Sequence, residues 1–226
     1  MARIHGMAGE WARVKGTVAG LWPVFVSVFF VGFSAALAAF VQPSSLGIGL
    51  FVVAFACTGV GMHFGLQRIE RFFIGARGEE RVCGILAELS DRYHVFNDFV
   101  AGGMHVDHVV IGPAGVFAIE TKFWRGVVTI EEGHILVDGQ LPSRPPLAQV
   151  LREAARVKAE LVKSGWGGPV TPVLAFASDT FRPHVAELNG VVVINSSELR
   201  KGFATERVVI PPAELERLVS LMENNA

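Results

Sequence analysis

Asp107, Glu120 and Lys122 are the side chains whose types and spacing most directly imply chemistry. They belong to the run His105-Val106-Asp107-His108-Val109-Val110-Ile111, a Gly112-Pro113-Ala114-Gly115 turn, and Val116-Phe117-Ala118-Ile119-Glu120-Thr121-Lys122. This reads as two apolar strands joined by a turn, with an acid on the first and an acid and a lysine two apart on the second. Strand side chains alternate faces, so Glu120 and Lys122 share one. Charges are scarce on strands this apolar, and a hairpin would bring these three together. The set suits a metal-dependent nuclease, in which two carboxylates hold a divalent cation and an ammonium positions or activates the attacking water.

The surrounding pattern supplies a scaffold. From Gly78 to Ser90, Val82, Ile85, Leu86 and Leu89 recur at helical spacing and define one buried stripe. Glu79 lies on that stripe's face and points toward the core side; the alternative is a first-turn acid favoured by the helix dipole. Glu80 points elsewhere. Strands are predicted at Tyr93–Phe99, Met104–Ile111, Gly115–Phe123, Gly126–Glu131, His134–Val137, Val170–Ala177 and Gly190–Ile194. Pro142 to Pro146 opens a helix running to about Lys163, striped by Leu147, Val150, Leu151, Ala154, Val157 and Leu161, and a closing helix starts near Pro212. Helices alternating with strands predict an α/β domain with a mixed β-sheet flanked by helices. His105 shares the Asp107 face, whereas His108 points the other way and reads as a buried hydrogen-bonding residue. Phe123 and Trp124 at the strand end are either packing residues or a base-stacking platform.

Ahead of this domain the chain changes character. Of its 226 residues 51% are hydrophobic, and residues 16 to 67 contain no Asp, Glu, Lys or Arg. A bilayer core needs roughly 20 apolar residues per helix, so this run holds two spans. We read a transmembrane helical hairpin over residues 18–66, with helices at Val18–Val41 and Leu46–Leu66 divided at Gln42-Pro43-Ser44-Ser45. Residues 1–17 form an N-terminal segment, 67–74 a juxtamembrane linker and 75–226 the α/β domain. A secretory signal has an apolar core of only about 7 to 15 residues, shorter than either span. Arg3, Arg13 and Lys15 precede the first span and Arg68, Arg71 and Arg77 follow the second. The positive-inside rule therefore predicts a two-span protein of the cell membrane with both termini cytosolic. Gly59, Gly61 and Gly65 would permit close helix packing in a homo-oligomer or against a membrane partner.

Cys57 and Cys83 offer neither a disulfide framework nor a thiolate metal cluster. Residues 67–226 carry 17 Lys and Arg against 20 Asp and Glu, a formal charge of −3 that disfavours non-specific nucleic-acid binding. A phosphate-cradling Gly-rich loop and a Gly-x-Ser-x-Gly elbow are both missing.

Residues 75 to 160 resemble the nuclease-related domain (NERD) family of the wider PD-(D/E)XK nuclease-like group. The matching residues are Gly75-Ala76-Arg77-Gly78-Glu79 with Val82, Leu86 and Leu89, then Tyr93 to Asp98, Val106 to Pro113, Gly115 to Lys122, Trp124, Gly126 and Gln149. The resemblance implies a restriction-endonuclease-like fold. It implies that Asp107 and Glu120, with a carbonyl near Thr121, bind Mg2+ or Mn2+, and that Lys122 orients or deprotonates water or stabilises transition-state charge. Glu79 would complete the acidic cluster and Gln149 would sit at its edge. Val106 stands where the group's name expects proline. The expected function is a membrane-anchored nuclease acting on DNA or RNA at the cytosolic face. The alternative is a catalytically inactive module that binds nucleic acid or protein at the membrane.

Overall fold

The computed structural model describes residues 1–40, 44–163, 165–204 and 208–224, apart from the side chains of Ala38, Ser44 and Ala204. It divides into two units, residues Trp11–Ile74 and residues Met1–Glu10 with Gly75–Ala226.

The first unit is formed by two helices, α1 (Glu10–Phe40) and most of α2 (Ser44–Ala87). Both are long and apolar enough to cross a membrane. Their apolar side chains stay exposed, including Phe25, Phe29, Phe33, Phe55 and Phe64. Buried core helices of water-soluble proteins instead lose such side chains from solvent. Glycines set the contact between the helices: a Cβ on Gly16 would collide with Phe72, and one on Gly20 with Ile69. Of the three glycines expected to permit close packing, Gly65 meets the Gly20 backbone and Gly61 meets Ser27, while Gly59 faces open space. Gln42 and Pro43, which the sequence assigns to the inter-helix turn, lie outside the described residues. Residues 67–74, read from sequence as a linker, are helical and belong to α2. No proline or capping residue interrupts the helix there.

The second unit is built on a mixed seven-stranded sheet. Its strands are β1 (Arg3–His5), β2 (His94–Ala101), β3 (Met104–Gly112), β4 (Gly115–Lys122), β7 (Val170–Phe176), β8 (Val185–Leu188) and β9 (Val191–Asn195). β5 (Val128–Glu131) and β6 (His134–Val137) form a separate hairpin. The sheet order is β1-β2-β3-β4-β7-β9-β8. β2, β3 and β4 form an antiparallel meander, and β7 joins β4 in parallel. Such a parallel step needs a crossover connection, and α3 (Pro146–Lys163) provides it.

Helices cover both faces of the sheet. On one face Val82 and Leu86 of α2, with Leu199 and Phe203 of α4 (Leu199–Ala204), pack on Val95, Val110 and Ile119. On the other, Ala154, Val157 and Leu161 of α3 and Leu218 and Met222 of α5 (Pro212–Glu223) pack on Phe96, Val109 and Ala118. Leu151, assigned to the α3 stripe from spacing, is exposed. β1 escapes notice in the sequence because it is a three-residue edge strand without alternation. It pairs in parallel with β2, so residues 3–5 are part of this unit's sheet.

Candidate active site

β3 and β4 pair as far as His108 opposite Ile119, and Asp107 and Glu120 follow directly beyond that pair on their strands. Asp107 Oδ2 accepts the Thr121 backbone N–H at 2.7 Å, which fixes the carboxylate against the neighbouring strand. On the other side of β3, Asp98 of β2 and Asp107 both fall between the register pairs Asn97–His108 and Phe99–Val106. Asp98 has φ 50°, a left-handed conformation rare for a non-glycine residue within a strand.

Glu120 is buried, and Lys122, two residues on, donates a hydrogen bond to its Oε1. The two therefore share a face, as alternation requires. Gln149, in the first turns of α3, bridges the group. Its Oε1 accepts from Lys122 Nζ at 3.1 Å, and its Nε2 lies 2.8 Å from Glu120 Oε1 and 2.9 Å from Glu153 Oε1. Glu79 enters from α2. A Cβ at the preceding Gly78 would lie 3.0 Å from Phe123 Cβ, so glycine there lets the helix approach the end of β4 closely. The Gly9 backbone N–H bonds Glu79, and the charges of Asp98, Glu120 and Lys122 act on it.

The electrostatics are lopsided, with several buried carboxyls facing one ammonium. Burial, reinforced by Asp98 and Glu120, pushes Glu79 up to about 8. Burial and then Glu120 push Glu153 up to about 8 as well. Asp107 is raised well above the usual carboxylate range by burial, Glu120 and Glu79, against the opposing Thr121 N–H bond. Burial alone would lower Lys122, but Glu120, Asp107 and Glu153 together hold it above its ordinary 10.5. Lys122 is therefore an ammonium at neutral pH, suited to orienting a ligand or stabilising negative charge rather than to taking a proton.

Concentrated buried acid is costly unless a cation compensates it. The donors are hard carboxylate oxygens, the class that Mg2+ and Mn2+ prefer. Glu79 Oε2 and Glu153 Oε2 are buried without a hydrogen-bond partner, acceptors left over among these acids. In donor type, the residues present fit a divalent cation.

Residues 74–177 match the family described as nuclease-related domain, NERD. Over this segment the chain is similar to nuclease-related domains. Glu79, Asp98, Asp107, Glu120, Lys122, Gln149 and Glu153 all fall inside the matched segment. No curated protein and no solved structure matches the chain.

The fold brings together Glu79, Asp107, Glu120, Lys122 and Gln149. It adds Asp98 and Glu153, which sequence reasoning did not assign to the site. Glu153 carried a signal: it is an acid four residues after Gln149, between Val150 and Val157 on the buried side of α3. Asp98 shows its role only through register and backbone conformation. His108 is fully buried and hydrogen-bonded to Asn97 Oδ1 at 2.8 Å, the role expected of it. Burial lowers its pKa to about 3, so the domain keeps it neutral. Trp124 packs on Phe176, with ring centroids 5.4 Å apart, as a core aromatic would.

Proposed function

We propose that this protein is a membrane-anchored, metal-dependent nuclease that hydrolyses phosphodiester bonds of DNA or RNA at the cytosolic membrane face. The observation that carries this reading is the joining of Asp107, Glu120, Lys122 and Gln149 across β3, β4 and α3 in a segment similar to nuclease-related domains.

Asp107 and Glu120, with a backbone carbonyl near Thr121, would hold Mg2+ or Mn2+. When bound, the ion supplies Lewis-acid polarisation of a phosphoryl oxygen and lowers the pKa of a bound water. Lys122, held protonated, places a positive charge beside the reacting phosphate and stabilises the charge that develops there. Gln149 fixes Lys122 and Glu120 in one arrangement by bonding both. Glu79 and Glu153, both raised to about 8, would ionise more readily beside a bound cation, so cation binding would release protons.

Anchoring rests on the two exposed apolar helices. Basic residues at both outer ends, Arg13 and Lys15 before and Arg68 and Arg71 after, favour cytosolic termini. The formal charge of −3 over residues 67–226 favours a second reading, a module that binds a protein or nucleic acid without cutting it. Calorimetric titration of Mn2+ into the full-length protein in detergent separates them. The nuclease reading expects an ion whose binding is lost in both Asp107→Asn and Glu120→Gln. Absence of such an ion in the native protein would leave only the binding module.

A further inference from the structure

A second cluster of ligating side chains lies away from the acidic site, where β1, β2 and the end of α5 meet. His94 starts β2 opposite Ile111, whereas Asp98, beside the acidic cluster, lies four residues further along the same strand. At strand rise that separation is about 13 Å. Here His5 and His94 approach through their rings, with His5 Nε2 3.1 Å from His94 Nδ1. Glu223 Oε1 stands 3.5 Å from the other His5 nitrogen. One ligand atom from each of the three residues lies within 4.8 Å of the others.

We propose that His5, His94 and Glu223 bind a zinc-type divalent cation, which fastens the N-terminal strand to the C-terminal helix. Two nitrogens bound tetrahedrally to zinc at 2.0–2.1 Å are separated by about 3.3 Å, close to the spacing of these two. Two imidazoles and a carboxylate form a borderline-soft donor set that zinc favours, with a fourth position left for water. Hard ions such as Mg2+ prefer all-oxygen sites, so this cluster and the acidic one select different metals.

The surroundings hold the ligands in place. The His5 ring stacks on Phe96 at 4.4 Å and 11°, which fixes its plane. His94 is buried at the start of β2, which holds its ring in place. Glu223 is half exposed and closes onto an ion by rotating its side chain. An open cleft of about 550 Å3 beside the cluster, lined by Arg3, Asp91, His94, Glu216 and Glu223, gives a metal access from solvent. Arg3 opposes a cation there, while Asp91 and Glu216 offset it.

Such an ion would link residues 5, 94 and 223, segments remote in sequence. β1 has only three residues, so a metal staple supplies what its short ladder lacks.

The test uses the full-length protein in detergent, stripped of metal and titrated with Co2+ as a spectroscopic probe and with Zn2+ by calorimetry. The expected result is one tightly bound Zn2+, displacing Co2+ whose visible absorption reports nitrogen ligation. Loss of a direct ligand in His5→Gln or Glu223→Gln should weaken binding by more than about 100-fold, beyond the 10- to 100-fold typical of outer-shell changes. Glu120→Gln should leave it intact. Circular dichroism establishes that each variant is folded, and Glu223→Gln, at an exposed helix end, serves if His5→Gln is not. The proposal is overturned if the native protein gives no Co2+ absorption, as a simple His–His hydrogen bond would. It is equally overturned if binding survives in Glu223→Gln or disappears in Glu120→Gln.

Discussion

Glu153→Gln should stabilise the metal-free protein, and the size of the gain follows from the burial of this carboxyl. Glu153 is 2% exposed on α3 and sits against Glu120, with Gln149 Nε2 donating to its Oε1. Moved from an ordinary 4.5 to about 8, it is protonated in the fold under conditions where the unfolded chain would ionise it. A raised acid contributes stability that is fully present below 4.5 and lost as pH rises through 8. At about 1.4 kcal/mol per pH unit, the loss reaches on the order of 3 kcal/mol by pH 7 and is below about 1 kcal/mol at pH 5. Glutamine keeps the carbonyl that accepts from Gln149, adds an amide that donates to Glu120, and does not titrate. In chelator, the variant should therefore match the native protein at pH 5 and exceed it by about 2–3 kcal/mol at pH 7. For a unit of this size that is roughly 4–12 °C in Tm. The assay is urea or thermal unfolding in mild detergent at the two pH values, followed by tryptophan fluorescence. A variant as pH-sensitive as the native protein, or less stable at pH 7, would refute the assignment of Glu153 to a strained carboxyl cluster.

Four further outcomes are expected. Lys122→Met should lower cleavage by about 100- to 1000-fold, the scale of losing one transition-state charge contact, while leaving Mn2+ binding in place; loss of ion binding as well would make Lys122 structural. Asn97→Ala removes the partner of His108 Nδ1 and of the Gly6 carbonyl, and should cost about 1–3 kcal/mol in denaturant titration; an unchanged midpoint would show that His108 finds another acceptor. Gly112→Ala drives a Cβ into the Tyr93 ring and should cost about 1–3 kcal/mol by overpacking, which thermal unfolding would register. Removing residues 1–9 deletes β1 and the Gly9 bond to Glu79. That truncation should unfold at lower temperature and associate through the bared β2 edge, and an unaltered melting curve would contradict the role given to β1.

Much of the site could be read in advance because its chemistry coincides with its periodicity. Asp107, Glu120 and Lys122 lie on strands whose alternation is unambiguous, and the turn at Gly112-Pro113 fixes their pairing. Glu79 and Gln149 came from the family resemblance, and the fold places Gln149 in hydrogen-bond contact with Glu120 and Glu79 within reach of its charge. Glu153 was obscured because an acid on an amphipathic helix ordinarily reads as solvated, and only α3's orientation toward β4 shows otherwise. Asp98 depends on strand register, which a single sequence does not encode locally. β1, β8 and α4 were illegible for a different reason: at three, four and six residues they are too short to establish a period. β1 and α4 are held by neighbours remote in sequence, and β8 by its hairpin partner β9. The zinc-type cluster shares this character, since its three ligands are spread over residues 5 to 223.

The central claim is that Asp107, Glu120 and Lys122 form a hydrolytic centre. Cleavage of end-labelled DNA and RNA by the full-length protein in detergent tests it most directly, with Mg2+ or Mn2+ and with chelator, beside the folded Glu120→Gln variant. Ion-dependent cleavage by the native protein that disappears in chelator and in Glu120→Gln is the predicted result. Intact substrate at every ion concentration, or equal cleavage by the variant, would contradict it.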